Sequence, residues 1–112
     1  MSRKARRSIT IALLSGLFLA AIPLWAGDPT EQLFNDNCAS CHGKRGDAKT
    51  AYAKRTPTAD LHSKEVQSKS DEALYGAIGR GTGHVNYPHG YEMRGMSKEK
   101  IFSLIQYIRA LK

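Results

Sequence analysis

The stretch Cys38-Ala39-Ser40-Cys41-His42 dominates the sequence, because it places two thiols three positions apart with an imidazole directly after the second. Thiols at this spacing can each add to one of the two vinyl groups of a single haem. The adjacent histidine then lies below the iron and can bind it as an axial ligand. The stretch therefore predicts a covalently attached haem c, held by Cys38 and Cys41, with His42 as the proximal ligand of the iron.

Besides a chance match, two other uses of paired cysteines compete with this interpretation. A redox-active disulfide between Cys38 and Cys41 usually accompanies alternating strands and helices, and the sequence shows no such alternation. A zinc site would need two further ligands from His62, His84 or His89, whose spacings differ from those of common zinc modules. The sequence therefore favours a haem site.

The first 26 residues have the composition of an export signal. Met1–Arg7 carries four basic residues, and Ile9–Ile22 is apolar and uncharged. Pro23 ends the apolar run shortly before a small residue, Ala26. We expect cleavage after Ala26, which leaves a domain of residues 27–112 in the periplasm or outside the cell. The alternative is an uncleaved anchor, because the apolar segment approaches the roughly 20 residues of a membrane-spanning helix.

The formal net charge of +7 overstates the charge of the predicted domain. Four of the 17 Lys and Arg residues lie in the signal, so residues 27–112 keep 13 against 10 acidic residues. No long run of basic residues remains, which argues against a nucleic-acid partner. A domain of 86 residues has only a marginal apolar core of its own. A covalently held cofactor would supply the missing apolar centre.

Capping residues and apolar spacing predict three helices. Asp28 is the N-cap of a helix over about Pro29–Asn37, which has proline at its first position. Ser70 is the N-cap of a second helix that ends at Gly79-Arg80-Gly81, and Ser97 is the N-cap of the last helix. The apolar residues predicted to face the core are Leu33, Phe34, Leu74, Ala77, Ile78, Ile101, Leu104, Ile105, Ile108 and Leu111.

The segments between these helices are polar and rich in glycine. Residues 43–69 are predicted to be mostly loop, and residues 82–95 form a second loop. Alternation of apolar and polar residues, which would indicate a strand, is absent from the sequence. The predicted fold class is therefore all-α.

With these features the chain resembles the class I cytochromes c over nearly all of residues 28–112. The resemblance implies a small fold of three main helices and loops around one haem, in which the first and last helices cross near Phe34 and Tyr107. It also implies that the carbonyl of Pro57 accepts a hydrogen bond from Nδ1 of His42. The matching residues are Leu33-Phe34, the haem motif with Gly43, Pro57, Leu61, Ser70 to Leu74, Ile78, Gly81, and Ser97 through Tyr107 to Leu111.

The sequence departs from this family at the second, distal iron ligand. The family usually carries a methionine followed by proline in the loop before the last helix, where this chain has Tyr87-Pro88. The residues of this loop that could bind iron are His84, His89, Met93 and Met96. A thioether ligand raises the reduction potential of the haem, whereas a second imidazole lowers it.

Met93 is the predicted distal ligand, because Gly95 gives the backbone near it freedom to turn its sulfur inward. His89 and His84 are the first alternatives, and an open distal position is another. Met96 directly precedes the N-cap Ser97, where an apolar side chain ordinarily packs against the helix. Met96 is therefore expected to pack against the helix, and it is a less favoured candidate for the iron ligand.

Other aromatic and histidine residues are predicted to have structural positions. Tyr75, Tyr87 and Tyr91 could line the haem edge, but in a small domain such residues are ordinarily part of the core. His62 is predicted to be a surface residue. None of these four residues is assigned a redox role.

The resemblance implies a one-electron carrier that is not an enzyme by itself. Its expected partners are other redox proteins, soluble or membrane-bound, and we expect a monomer or a subunit of a complex. One alternative is a haem subunit of a larger oxidoreductase. Another is a ligand-sensing haem protein, which an open distal position would favour.

Overall fold

The computed structural model describes residues 27–84 and 90–111, and within these ranges the chain is helical without strands. The predicted signal and anchor, residues 1–26, and the candidate ligand His89 lie outside the described residues, as does Tyr87. The helices are α1 (Pro29–Asn37), α2 (Ala39–His42), α3 (Lys64–Gln67), α4 (Asp71–Tyr75), a π-helical turn (Gly76–Arg80) that continues α4, and α5 (Lys98–Ala110). The all-α prediction is confirmed.

Side-chain caps begin the three predicted helices where the sequence placed them. The carboxylate of Asp28 accepts a hydrogen bond from the N–H of Thr30 at 2.8 Å, which begins α1. The hydroxyl of Ser70 accepts from Ala73 at 3.1 Å, and that of Ser97 accepts from Lys100 at 3.3 Å. Each cap satisfies one backbone donor that the first turn of a helix leaves without an intrahelical partner.

Two short helices were not predicted. Ser63 caps α3, in which Val66 is the buried residue, inside a segment predicted to be mostly loop. The other, α2, is formed by the haem motif itself, whose first residue Cys38 donates its N–H to the carbonyl of Phe34 at 2.8 Å. Helices of four residues carry no apolar period that a sequence pattern could reveal.

The first and last helices cross as the resemblance implied. The ring centroids of Phe34 and Tyr107 lie 5.0 Å apart at this crossing. Phe34 is fully buried together with Ile101, Leu104 and Ile105 of α5. Helix α4 packs on the other side of α5 through Leu74, so the crossing holds the haem motif at the end of α1 in a constant position.

Within the described ranges, no helix has the length and apolar character needed to cross a membrane.

Candidate functional site

A cavity of about 330 Å³ opens directly beside the haem motif. Cys38, Cys41 and His42 contribute to one wall of it. Its apolar lining comes from both helices and loops, namely Leu61, Val66, Leu74, Ala77 and Ile78. The volume lies within the range of about 300 to 1,000 Å³ that is typical of cofactor sites. An apolar cavity with two thiols and an imidazole at its wall fits a covalently attached haem.

The two cysteines are free thiols, and both are half-buried. Burial, with a smaller contribution from the neighbouring Cys41, raises the pKa of Cys38 to about 12. A thiol with so high a pKa stays protonated at neutral pH, whereas the reactive cysteine of a disulfide oxidoreductase has a lowered pKa. The environment of Cys38 therefore argues against the redox-disulfide interpretation.

The described residues, which do not include His89, give no support to the zinc interpretation. Within residues 27–84 and 90–111, no group of three or more His, Cys, Asp or Glu side chains is arranged to hold a metal ion. A closed zinc site needs four such ligands.

His42 is held in one orientation by a backbone carbonyl. Its Nδ1–H donates to the carbonyl oxygen of Ala59 at 2.9 Å, which leaves Nε2 as the nitrogen that can bind a metal. Burial lowers the pKa of His42, and the hydrogen bond to Ala59 opposes this effect in part. The imidazole is therefore neutral at pH 7, the form that binds a metal.

The acceptor for His42 corrects the prediction for Pro57. Pro57 is exposed and contributes to the cavity wall, but the carbonyl that faces the imidazole belongs to Ala59, two residues further along. Pro57 is the central residue of a tight turn, in which the N–H of Thr58 donates to the carbonyl of Thr56 at 2.8 Å. The chain reaches the imidazole only after this turn.

The loop that carries Ala59 is fastened to the haem motif at several points. The hydroxyl of Thr50 donates to the carbonyl of Cys41 at 2.7 Å. The N–H of Leu61 donates to the carbonyl of Gly46 at 2.8 Å, and the Nε2–H of His62 donates to the carbonyl of Arg45. His62 is thus a partly exposed residue that is bonded to this loop.

Of the candidate distal ligands in the described ranges, only His84 lines the cavity. Its ring centroid lies 6.3 Å from that of His42, and the two ring planes are nearly perpendicular at 80°. Burial first, and then the charge of His42, lower the pKa of His84, while a hydrogen bond with the backbone of Ala77 opposes them. His84 is therefore neutral at pH 7 as well.

The two methionines lie elsewhere, contrary to the prediction for Met93. The side chain of Met93 is 95% exposed, and it does not line the cavity. It stands at the tip of a turn in which the carbonyl of Tyr91 accepts from Arg94 at 3.1 Å and from Met96 at 3.0 Å. Met96 packs against the apolar core, in agreement with its predicted packing role.

Tyr75 and Tyr91, which were considered as residues at the haem edge, have different surroundings. Tyr91 is buried and lines the cavity, and its hydroxyl donates to the carbonyl of Asn37 at the end of α1, at 2.7 Å. Tyr75 is buried in the core away from the cavity, and its hydroxyl donates to Glu92. Both bonds join the turn at the end of the second loop to the helices.

A family model described as Cytochrome c matches residues 28–112. The comparison with curated proteins found no match.

Proposed function

The chain belongs to the cytochrome c family, and on this premise we propose that it is an exported monohaem protein that passes single electrons between redox partners. Proteins of this family bind haem c covalently, and the two cysteines agree with that attachment. The observation that carries the proposal is the placement of Cys38, Cys41 and a backbone-oriented His42 at the wall of one apolar cavity.

Each residue of the motif has a separate role. The sulfurs of Cys38 and Cys41 hold the cofactor, so that it is not lost in a dilute space outside the cytoplasm. His42 presents Nε2 to the cavity, since its Nδ1–H is engaged by Ala59. When bound, haem supplies an iron that alternates between the ferrous and ferric states.

The surrounding residues suit electron transfer more than catalysis. Leu61, Val66, Leu74 and Ile78 give the cavity an apolar lining. With haem bound, such side chains would leave little room for water next to the iron, where it would reorient at each change of the iron's charge. The bonds of Thr50 and Leu61 fasten the loop that orients His42. A site with fixed groups and little water changes its geometry little between oxidation states, which favours rapid transfer.

Export is part of the proposal. It is supported by the basic and apolar segments of residues 1–26. The mature domain would then act in the periplasm or outside the cell, or at the membrane surface if the segment is retained as an anchor.

The proposal is tested with the full chain, expressed together with machinery that attaches haem to exported proteins. We expect the purified protein to have the mass of the polypeptide plus one haem and to undergo reversible one-electron reduction. The matched control is the double variant Cys38→Ser, Cys41→Ser, which should carry no covalent haem. A colourless wild-type protein at the mass of the bare polypeptide would overturn the proposal.

Two further measurements separate the alternatives. Stable co-purification with a catalytic protein would indicate a subunit of an oxidoreductase. Rapid binding of carbon monoxide by the reduced protein at neutral pH would indicate a ligand sensor, because a carrier with both axial positions filled binds it poorly.

A further inference from the structure

We infer that His84 is the distal axial ligand, so that the iron is bound between the imidazoles of His42 and His84. This inference rests on the proposed function, since it requires a haem at the cavity. It differs from the predicted ligation by the thioether of Met93. It is carried by the relative position of the two rings, both of which line the cavity.

The separation of the rings agrees with that of two imidazoles on one metal ion. A bond from a transition metal to an imidazole nitrogen measures about 2 Å, and the ring centre lies roughly 1 Å beyond that nitrogen. Two imidazoles on opposite sides of one iron therefore have ring centres about 6 Å apart. The observed separation between the ring centres of His42 and His84 is 6.3 Å, which agrees with two imidazoles on one iron.

The backbone around His84 holds it at the cavity. The π-helical turn Gly76–Arg80 ends at Gly81, which has the left-handed φ of 78° and reverses the chain. The N–H of His84 then donates to the carbonyl of Gly81 at 3.0 Å. Single π-helical turns occur often at functional sites, and this one ends four positions before the histidine.

The ring of His42 is oriented by a backbone group outside the ring pair, because its Nδ1–H donates to the carbonyl of Ala59. Metal-binding histidines usually have such a bond from one ring nitrogen, because it orients the other nitrogen. Nε2 of His42 is therefore the nitrogen available to a metal in the cavity that His84 also lines.

Ligation by a second imidazole changes what the protein can do. Thioether ligation raises the reduction potential of a c-type haem, and two imidazoles give a lower one. The chain would then accept electrons only from donors of comparably low potential. It would also resist carbon monoxide, because the distal position is filled.

The test uses three single variants of the full chain, loaded with haem during export: His84→Ala, His89→Ala and Met93→Ala. We expect ferric wild-type protein to be six-coordinate and low-spin without the weak long-wavelength band of thioether ligation. Only His84→Ala should lose the low-spin spectrum and bind carbon monoxide rapidly when reduced. Added imidazole should restore the low-spin spectrum of that variant.

A second substitution keeps the inference testable if His84→Ala does not fold. His84→Met should acquire the thioether band and shift the reduction potential upward, with haem still attached through both cysteines. A wild-type thioether band, or a low-spin spectrum that survives in His84→Ala and disappears in His89→Ala or Met93→Ala, would overturn the inference. In each of these outcomes the purified protein still carries haem. If the proposed function is wrong, the purified protein is colourless.

Discussion

Gly46 lies so close to Leu111 that a Cβ atom at position 46 would be 2.8 Å from the Cδ1 atom of the leucine. The same Cβ would lie 3.2 Å from the Cβ of Leu61, and the φ of Gly46 is +73°. This contact joins the loop after the haem motif to the residue that follows α5. The loop can pack here only without a side chain at position 46.

We therefore expect Gly46→Ala to destabilise the protein through two effects. The left-handed backbone costs about 1 to 2 kcal/mol for a residue with a Cβ, and the steric overlap adds about 1 to 3 kcal/mol. Urea unfolding of the haem-loaded protein measures the sum.

Gly95→Ala is the matched control for this substitution. Gly95 has a similar φ of +84°, but a Cβ there would meet no atom within 4 Å. Only the backbone cost of about 1 to 2 kcal/mol should appear. Equal losses of unfolding free energy in the two variants would show that the contact with Leu111 contributes nothing.

The contact between Phe34 and Tyr107 predicts a large loss of stability on truncation. Phe34 is fully buried at the crossing of α1 and α5, and Phe34→Ala should cost about 3 to 5 kcal/mol. Phe102 is the control, because it lies on α5 but is 45% exposed. Phe102→Ala should cost less than half as much in the same urea unfolding experiment, and the reverse order would contradict the assigned core.

Much of the fold could be predicted because its signals are local. The caps at Asp28, Ser70 and Ser97 act within three residues of themselves, so a short stretch of sequence contains all the groups that take part. The apolar spacing of α5 likewise reports its buried face, and Ile101 and Leu104 are both fully buried.

The predictions that were wrong concern contacts between residues distant in the sequence. The carbonyl that faces His42 is 17 positions away, and the turn before it decides which of two nearby residues supplies it. Gly95 was expected to let the backbone turn the sulfur of Met93 inward, but the side chain of Met93 is 95% exposed. His84 was an alternative in the prediction because it lies in the loop that follows Gly81, where the second predicted helix ends.

The hydrogen bond from Tyr91 to Asn37 predicts a modest loss of unfolding free energy when the tyrosine hydroxyl is removed. Tyr91→Phe removes the donor to the Asn37 carbonyl at 2.7 Å, which should cost about 1 kcal/mol of unfolding free energy. Tyr107→Phe is the control, because the ring of Tyr107 packs on Phe34 and this contact survives the change. It should alter the unfolding free energy by less than about 0.5 kcal/mol. If Tyr91→Phe leaves the unfolding free energy unchanged, the hydroxyl of Tyr91 does not stabilise the packing of the turn on α1.

The pair formed by Tyr75 and Glu92 predicts a loss of stability at alkaline pH. The hydrogen bond to Glu92 comes first among the causes that raise the pKa of Tyr75 above its ordinary value of 10.0, followed by burial and the charge of Glu92. The folded protein holds this proton more tightly than the unfolded chain does. The stabilisation is therefore complete below pH 10.0 and is lost as the pH rises through the folded-state pKa.

Tyr75→Phe should remove this part of the alkaline loss, since phenylalanine has no proton to release. Unfolding of wild type and variant, followed at a series of pH values on either side of 10.0, measures it as a difference in slope. Tyr107, whose pKa is also raised, chiefly by burial, is present in both proteins and cancels in the comparison. Glu92→Gln is the second variant, because it keeps the phenol but removes the charged acceptor, and it should show a smaller alkaline loss than wild type. Parallel pH profiles for all three proteins would mean that Tyr75 releases its proton equally readily in the folded and unfolded states, and the bond to Glu92 would then have no influence on stability.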